Sequence, residues 1–373
     1  MTDSRKYWVG FNLVKGIGAA RLRMLQDHFG SVESAWHAPA QALQAAGLNP
    51  KLVEKFLAVR SGDALDKVWD RIQAVGIDVL TWEDAGYPRR LKEIDQPPPV
   101  LYVRGNILEQ DDWTVAVVGT RRITAYGRQV SEQIASFLAA NGVTVISGLA
   151  RGVDSAAHKA ALEAGGRTIA VLGNGVDIIY PPEHRRLAEA IQRQGALISD
   201  YAPGTPPDSA NFPPRNRIIS GMSLAVVIVE AGDRSGALIT ADFAAEQGRD
   251  VFAVPGGINA PQSIGTNRLI QQGAQPLLHP QEILDILNLN QVSEQTVARK
   301  VIPDDPTESH LLSVMSQEPI HIDDLRNQTG IPIEIISATL AMMELKGMVR
   351  QVGGMNYICV RELQAGYEIS DGD

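Results

Sequence analysis

The sequence is short of several things, and each shortage excludes something. It has a single cysteine, Cys359, in 373 residues, which rules out an internal disulfide and a cysteine-rich zinc site. A buried thiol in a reducing cytosol is the expected state. No run approaches the ~18 consecutive apolar residues that a membrane-crossing helix needs. The opening Met1-Thr2-Asp3-Ser4-Arg5-Lys6 has no apolar core or small-residue cleavage site behind it, so no signal peptide is expected and the expected location is cytoplasmic. GxxxxGK[ST] is missing, which disfavours a P-loop ATPase, and neither HExxH nor GxSxG occurs. Gly119 is followed by Thr120 and Arg121 rather than by a Gly-x-Gly-x-x-Gly run, which leaves a dinucleotide-dependent dehydrogenase little support. No carboxylate pair stands out as an acid–base couple, and His158 has no second ligand at i+4 to hold a metal. The expectation is therefore a protein with no catalytic residue, no metal and no cofactor.

Lysine is scarce where the chain is richest in motifs. The net charge is −9, which argues at first against a nucleic-acid partner. From Trp113 to Ile283, however, 14 basic residues face 14 acidic ones, and the basic residues are 13 arginines and Lys159. The acidity therefore lies elsewhere. Arginine offers a flat fork that pairs bidentately with phosphate, where lysine acts as a point charge. Arginine-rich usage from a GC-rich genome accounts for the count equally well.

What is present divides the chain by pattern. Residues 1–75 have apolar positions at helical spacing. Residues 76–112 read as a connector ending in the extended Pro97-Pro98-Pro99-Val100-Leu101-Tyr102-Val103. Residues 113–285 alternate apolar runs with amphipathic stretches. Strands are predicted at Thr114–Val118, Val143–Ser147, Thr168–Leu172, Ala196–Ser199, Leu224–Glu230 and Asp250–Val254, with helices at about 127–140, 153–164, 183–194, 213–221 and 236–247. Continuous apolar strands separated by helices indicate an α/β, Rossmann-like, doubly wound parallel sheet buried on both faces. A polar linker at 286–306, a small domain at 307–360 and an acidic tail at 361–373 follow.

Such sheets bind ligands beyond the carboxyl ends of their strands, and the unusual residues cluster there. Gly119-Thr120-Arg121-Arg122 follows the first central strand, with Tyr126-Gly127 just beyond. Gly148-Leu149-Ala150-Arg151-Gly152-Val153-Asp154 follows the second, Gly173-Asn174-Gly175 the third, Gly232-Asp233-Arg234-Ser235-Gly236 the fifth, and Pro255-Gly256-Gly257 the sixth. Glycine turns at helix N-termini admit anions closely. Any one of them is also an ordinary tight βα turn, but five on one edge, three with arginine, favour an anion-binding rim. In Phe212-Pro213-Pro214-Arg215-Asn216-Arg217, proline suits the first helical turn, while two arginines there oppose the helix dipole. Either an external anion or ion pairs to Asp200 or Asp208 would resolve the conflict. Asp154 reads as a cap or an arginine partner, and Lys159 as a phosphate contact. With 5% aromatic residues, Phe212 and Tyr126 are the nearest candidates for base stacking.

These motifs, together with Ile218-Ile219-Ser220, His158, and Val254-Pro255-Gly256-Gly257 followed by Gly265-Thr266-Asn267, closely resemble the DNA-processing protein A (DprA/Smf) family across the whole central region. The resemblance implies a single-stranded DNA-binding recombination mediator of natural transformation. Such a protein protects incoming strands, loads the RecA recombinase, and forms homodimers through the Rossmann-like domain. Carried over by motif, the DNA-binding positions are Gly119, Thr120, Arg121, Arg122, Gly148, Arg151, Gly152, Lys159, Phe212, Arg215, Asn216, Arg217, Ser235 and Gly236. Two positions depart from the family pattern: Ala237, where serine is common, and Asp200, where glutamate is common.

The flanks are less specific. Lys15-Gly16-Ile17-Gly18 before Ala19–Phe29 resembles the turn of a SAM- or helix-hairpin-helix-like domain, though a plain helical corner fits as well. The final domain reads as a winged helix, with a helix at about 307–315, strand 320–322, helices 323–329 and 332–346, and strands 348–352 and 355–359. From Pro306 to Val360 it has three basic and six acidic residues, so strong duplex binding is not expected. A nucleotide-processing hydrolase of the lysine-decarboxylase-like (LOG) type is the alternative. Against it, an insertion splits Pro255-Gly256-Gly257 from Gly265-Thr266, and no glutamate occupies the expected place. A winged-helix regulator suffers from the non-basic third helix.

Overall fold

In the computed structural model, residues 3–289, 306–315, 319–345 and 349–359 are described. They fall into two compact units, Met1–Val292 and Ser293–Asp373. Six helices open the first unit: α1 (Arg5–Asn12), α2 (Ala19–Phe29), α3 (Val32–His37), α4 (Ala40–Ala45), α5 (Pro50–Ser61) and α6 (Ala64–Val75). Their apolar faces meet at Trp8, Phe11, Leu25, Trp36 and Phe56, all buried. Phe11 stacks on Phe56 at 5.0 Å and meets Trp36 edge-on at 5.4 Å.

The described strands of this unit form one nine-stranded sheet in the order β1-β2-β6-β5-β4-β3-β7-β8-β9. Its central strands are β3 (Thr114–Val118), β4 (Thr144–Ser147), β5 (Thr168–Val171), β6 (Ala196–Ser199), β7 (Ala225–Ile228) and β8 (Asp250–Ala253), parallel throughout. Each coincides with a predicted strand to within two residues at either end. The segment expected as a connector is more than that. It supplies β1 (Asp78–Thr81) and β2 (Val100–Gly105), which pair antiparallel with each other and, through β2, with β6. The two-residue β9 (Gln275–Pro276) closes the other edge.

Alternate residues of each strand serve opposite faces of the sheet. Val115 and Val117 join a core with α8 (Ala125–Ala140), α9 (Val153–Glu163) and α14 (Gln281–Ile286). Ala116 and Val118 join the other core, with α10 (Arg185–Gln194), α11 (Phe212–Met222), α12 (Gly236–Glu246) and α13 (Ile264–Gln271). The latter core runs on without interruption into Trp8, Phe11 and Phe56. The N-terminal helices therefore share their interior with the sheet. The short helix α7 (Arg89–Lys92) packs on α11. No helix among the described residues is long and apolar enough to cross a membrane.

The chain winds outward from β3 in both directions, through β4, β5 and β6 on one side and through β7, β8 and β9 on the other. The topological switch point lies between β3 and β7. A crevice opens beyond the carboxyl ends of strands at such a point.

The second unit contains α15 (Pro306–Val314), α16 (Ile322–Thr329) and α17 (Ile333–Leu345) with a three-stranded sheet of β10 (Ile320–His321), β12 (Asn356–Cys359) and β11 (Val349–Gly353). Leu311, Leu325, Ile336 and Leu340 form its core. The strand expected to hold Cys359 is β12, but that side chain, most of the linker and the acidic tail lie outside the described residues.

Candidate nucleic-acid interface

A cleft of about 650 Å³ occupies the switch point. Gly119, Thr120 and Arg121 after β3 form one wall. Phe212, Arg215, Asn216 and Ile219 of α11 form another, and the third is the start of α12 with Arg234, Ser235 and Gly236 before and within it. Ser235 caps α12 by accepting from the Ala237 amide at 3.4 Å, and the space beside Gly236 is open. The partial positive end of an 11-residue helix thus borders the cleft.

The Phe212 ring is the centre of the arrangement. The Arg121 guanidinium lies over it at 5.4 Å, and that of Arg215 lies 5.9 Å from its centroid. Tyr180 stacks beside it at 5.8 Å with planes 27° apart. Arg121 and Tyr180 are exposed, so a cation and an aromatic face are both presented to solvent. Tyr180 escaped the sequence reading, because it sits in a long loop after β5, far along the chain from the other site residues. Its only signal was an aromatic residue beside Pro181-Pro182, just past the Gly173–Gly175 turn.

The predicted site residues divide. Gly119, Thr120, Arg121, Phe212, Arg215, Asn216, Ser235 and Gly236 all line the cleft. Arg151 and Gly148 border its neighbouring recess with Arg121, Tyr180 and Phe212. Arg151 is exposed and pairs with Glu183 at 2.5 Å. Arg122 and Lys159 are exposed but line neither. Arg217 faces the other side of α11, where it pairs with the half-buried Asp200 at 2.7 Å. Tyr126 lies outside the cleft and donates to the Pro255 carbonyl at 3.0 Å.

Two glycines expected to admit an anion are also required by packing. A Cβ on Gly119 would lie 2.6 Å from Val153 Cγ2, and Gly152, at φ +82°, would place one 2.2 Å from the Thr120 carbonyl oxygen. The turns after β3 and β4 are pressed together: the Thr120 amide donates to Glu230 and its carbonyl accepts from Val153. Glu230 in turn holds the start of α8, accepting from the Thr124 amide at 3.0 Å and from the Thr124 hydroxyl at 2.5 Å. Leu149, fully buried, adopts a left-handed φ of 58°. That conformation is strained in a branched residue, and the His184 ring, bonded to its carbonyl at 2.9 Å, helps hold it.

Arg215 is only 4% exposed. Its Nη1 donates to the Val171 carbonyl, and its Nε has no hydrogen-bond partner among the described residues. Burial pulls its pKa down to about 10, against the opposing pull of Asp154. Asp154 is buried as well, and burial pushes its carboxyl up. It accepts from the Gly148 and Ala150 amides at 3.1 and 3.2 Å.

His158 lies in the core. The Thr168 hydroxyl donates to Val145, so it accepts from His158 Nδ1 at 2.7 Å. Burial first, then His184 and Arg215, push the ring down from 6.5 to about 3. The unfolded chain takes up this proton near pH 6.5, and the folded chain only near 3. The stability at stake is therefore complete above pH 6.5 and is lost as pH falls toward 3. The loss from pH 7 to pH 5 should be about 2 kcal/mol in urea unfolding. The His158→Asn protein, which keeps a donor for Thr168, should lose less by that amount. Asp154 and Asp200, both pushed up by burial, titrate in either protein and drop out of the difference. Equal losses in the two proteins would contradict this assignment.

A doubly wound sheet with an arginine–aromatic rim at its switch point defines a Rossmann-like protein, here followed by a winged helix. The model of the DNA recombination-mediator protein A family matches residues 78–288, and that of the DprA winged helix domain matches 295–355. The chain belongs to the DNA recombination-mediator protein A family. It is 36% identical to Protein Smf of Synechocystis, covering 95% of this chain and 98% of that one. DNA processing protein A of Streptococcus pneumoniae has a similar crystal structure, with a TM-score of 0.66 and 34% identity over 76% of this chain and 98% of that one. The protein from Helicobacter pylori, studied for its single-stranded DNA binding mode, matches with a TM-score of 0.51 and 32% identity over 56% of this chain and 95% of that one.

Proposed function

We propose that this protein is a recombination mediator that holds single-stranded DNA across the cleft, without cutting it. In this reading it protects incoming strands and loads the RecA recombinase during natural transformation, acting as a homodimer through the Rossmann-like unit. The observation that carries the reading is the Arg121–Phe212–Tyr180 cluster. Sequence-independent grip on a single strand needs cations for phosphates and aromatic faces for bases, and here the two are within 6 Å of each other. The family supports the same reading. The winged helix, short of basic residues, serves protein contact or structural support rather than duplex binding.

Fluorescence anisotropy with an oligo-dT strand, a duplex and AMP across a salt series tests it. The single strand should bind best, and its affinity should fall linearly on logarithmic axes, with a slope of about −0.7 per phosphate contacted. Preference for AMP with release of adenine would instead favour the LOG-like hydrolase, and equal binding of duplex would overturn the single-strand assignment.

A further inference from the structure

Arg215 carries the charge of a phosphate ligand but not the exposure of one. A strand end, its own helix and a turn converge on it. Its guanidinium reaches the Val171 carbonyl at the end of β5. Its own helix carries Phe212, whose centroid lies 5.9 Å away. Across Gly148 sits Asp154, which gathers the two amides of the turn after β4. Gly148 has no room for a side chain: a Cβ there would lie 2.4 Å from Arg215 Nη1 and 2.8 Å from Asp154 Oδ2. The opposite charges are thus buried on either side of one glycine, and each is fixed by backbone groups of a different segment.

We infer that Asp154 and Arg215 are positioning residues, which set the Phe212 ring between Arg121 and Tyr180 and make no phosphate contact themselves. The inference rests on the single-strand reading of the cleft. It differs from the reading of Arg215 as a DNA contact in a way that charge alone separates. Arg215→Lys keeps the positive charge but loses the planar fork that spans Val171 and the Phe212 face. Asp154→Asn removes a negative charge near a polyanion, so electrostatics by itself would strengthen binding. It also leaves an oxygen to accept from Gly148 and Ala150, which favours a folded product.

The experiment measures oligo-dT affinity across a salt series for the wild type, Arg215→Lys, Asp154→Asn and Arg121→Ala in the full chain, with circular dichroism melts as a check on folding. Both positioning variants should bind about tenfold more weakly, with the wild-type salt slope. Arg121→Ala should lose affinity and also flatten the slope by about 0.7, the share of one phosphate contact. Wild-type affinity in a folded Arg215→Lys protein would overturn the inference, because charge alone would then suffice and Arg215 would be a direct ligand. Unchanged or tighter binding by a folded Asp154→Asn protein would overturn it too. Failure of the wild type to bind the single strand would refute the function itself, a distinct outcome.

Discussion

Phe212→Ala should weaken oligo-dT binding by about 1–3 kcal/mol, the usual worth of one base–aromatic stack, while leaving the salt dependence unchanged. Its ring is what Arg121 lies over and what Tyr180 stacks against, so its loss removes the stacking surface and frees both neighbours. Arg121→Ala should cost a comparable amount, similarly for all sequences, and should flatten the salt slope. Because the two side chains touch, the double variant should lose less than the sum of the single losses. Anisotropy titrations of the three proteins supply the cycle. Wild-type affinity in both single variants would remove the cleft from consideration as the DNA path.

The largest effect on stability is expected away from the cleft. Arg167→Leu should lower the unfolding free energy by about 3–5 kcal/mol. Arg167 forms a two-pronged pair with Asp111, at 2.9 and 2.8 Å, and also donates to the Asn106 carbonyl at 2.7 Å. Asp111 is 5% exposed and accepts in addition from the Thr144 hydroxyl and the Leu108 amide. Removing the arginine leaves a buried carboxylate without its cation, which costs more than the pair itself contributes. Urea unfolding of Arg167→Leu, and of the same change combined with Asp111→Asn, measures this. The second substitution should restore part of the loss, and a deficit below about 1 kcal/mol in Arg167→Leu would show that solvent reaches the carboxylate.

The central sheet was legible because strands buried on both faces must be continuously apolar, and Val115-Ala116-Val117-Val118 and Ala225-Val226-Val227-Ile228 are. The edge strands β1 and β2 were not. Their pairing is antiparallel and set by partners at 78↔103 and 102↔199, and a polar start at Asp78 and a run of prolines before Val100 conceal it. Within the site, Arg121, Phe212 and the cap of α12 could be read from the order of motifs. Arg215 and Arg217 could have been separated by helical geometry alone: two positions apart is about 200° of rotation, so they cannot share a face. Arg217 accordingly takes the ion pair with Asp200 that the sequence left as one of two possibilities. Arg151 and Tyr180 meet at the recess through separate loops, an encounter no local pattern encodes.

The sequence by itself determined the class of fold and the edge of the sheet at which the candidate site gathers. Hydrophobic periodicity and glycine turns are local properties, and a parallel sheet leaves its strand ends no other place to gather. It also supplied an arginine-rich surface, though with its cations treated alike. Only the tertiary structure decided which of them face solvent. Burial and nearby opposite charge are nonlocal, and they turn Arg215 inward against Val171 and Asp154, tie Arg217 to Asp200, and leave Arg121 exposed over Phe212.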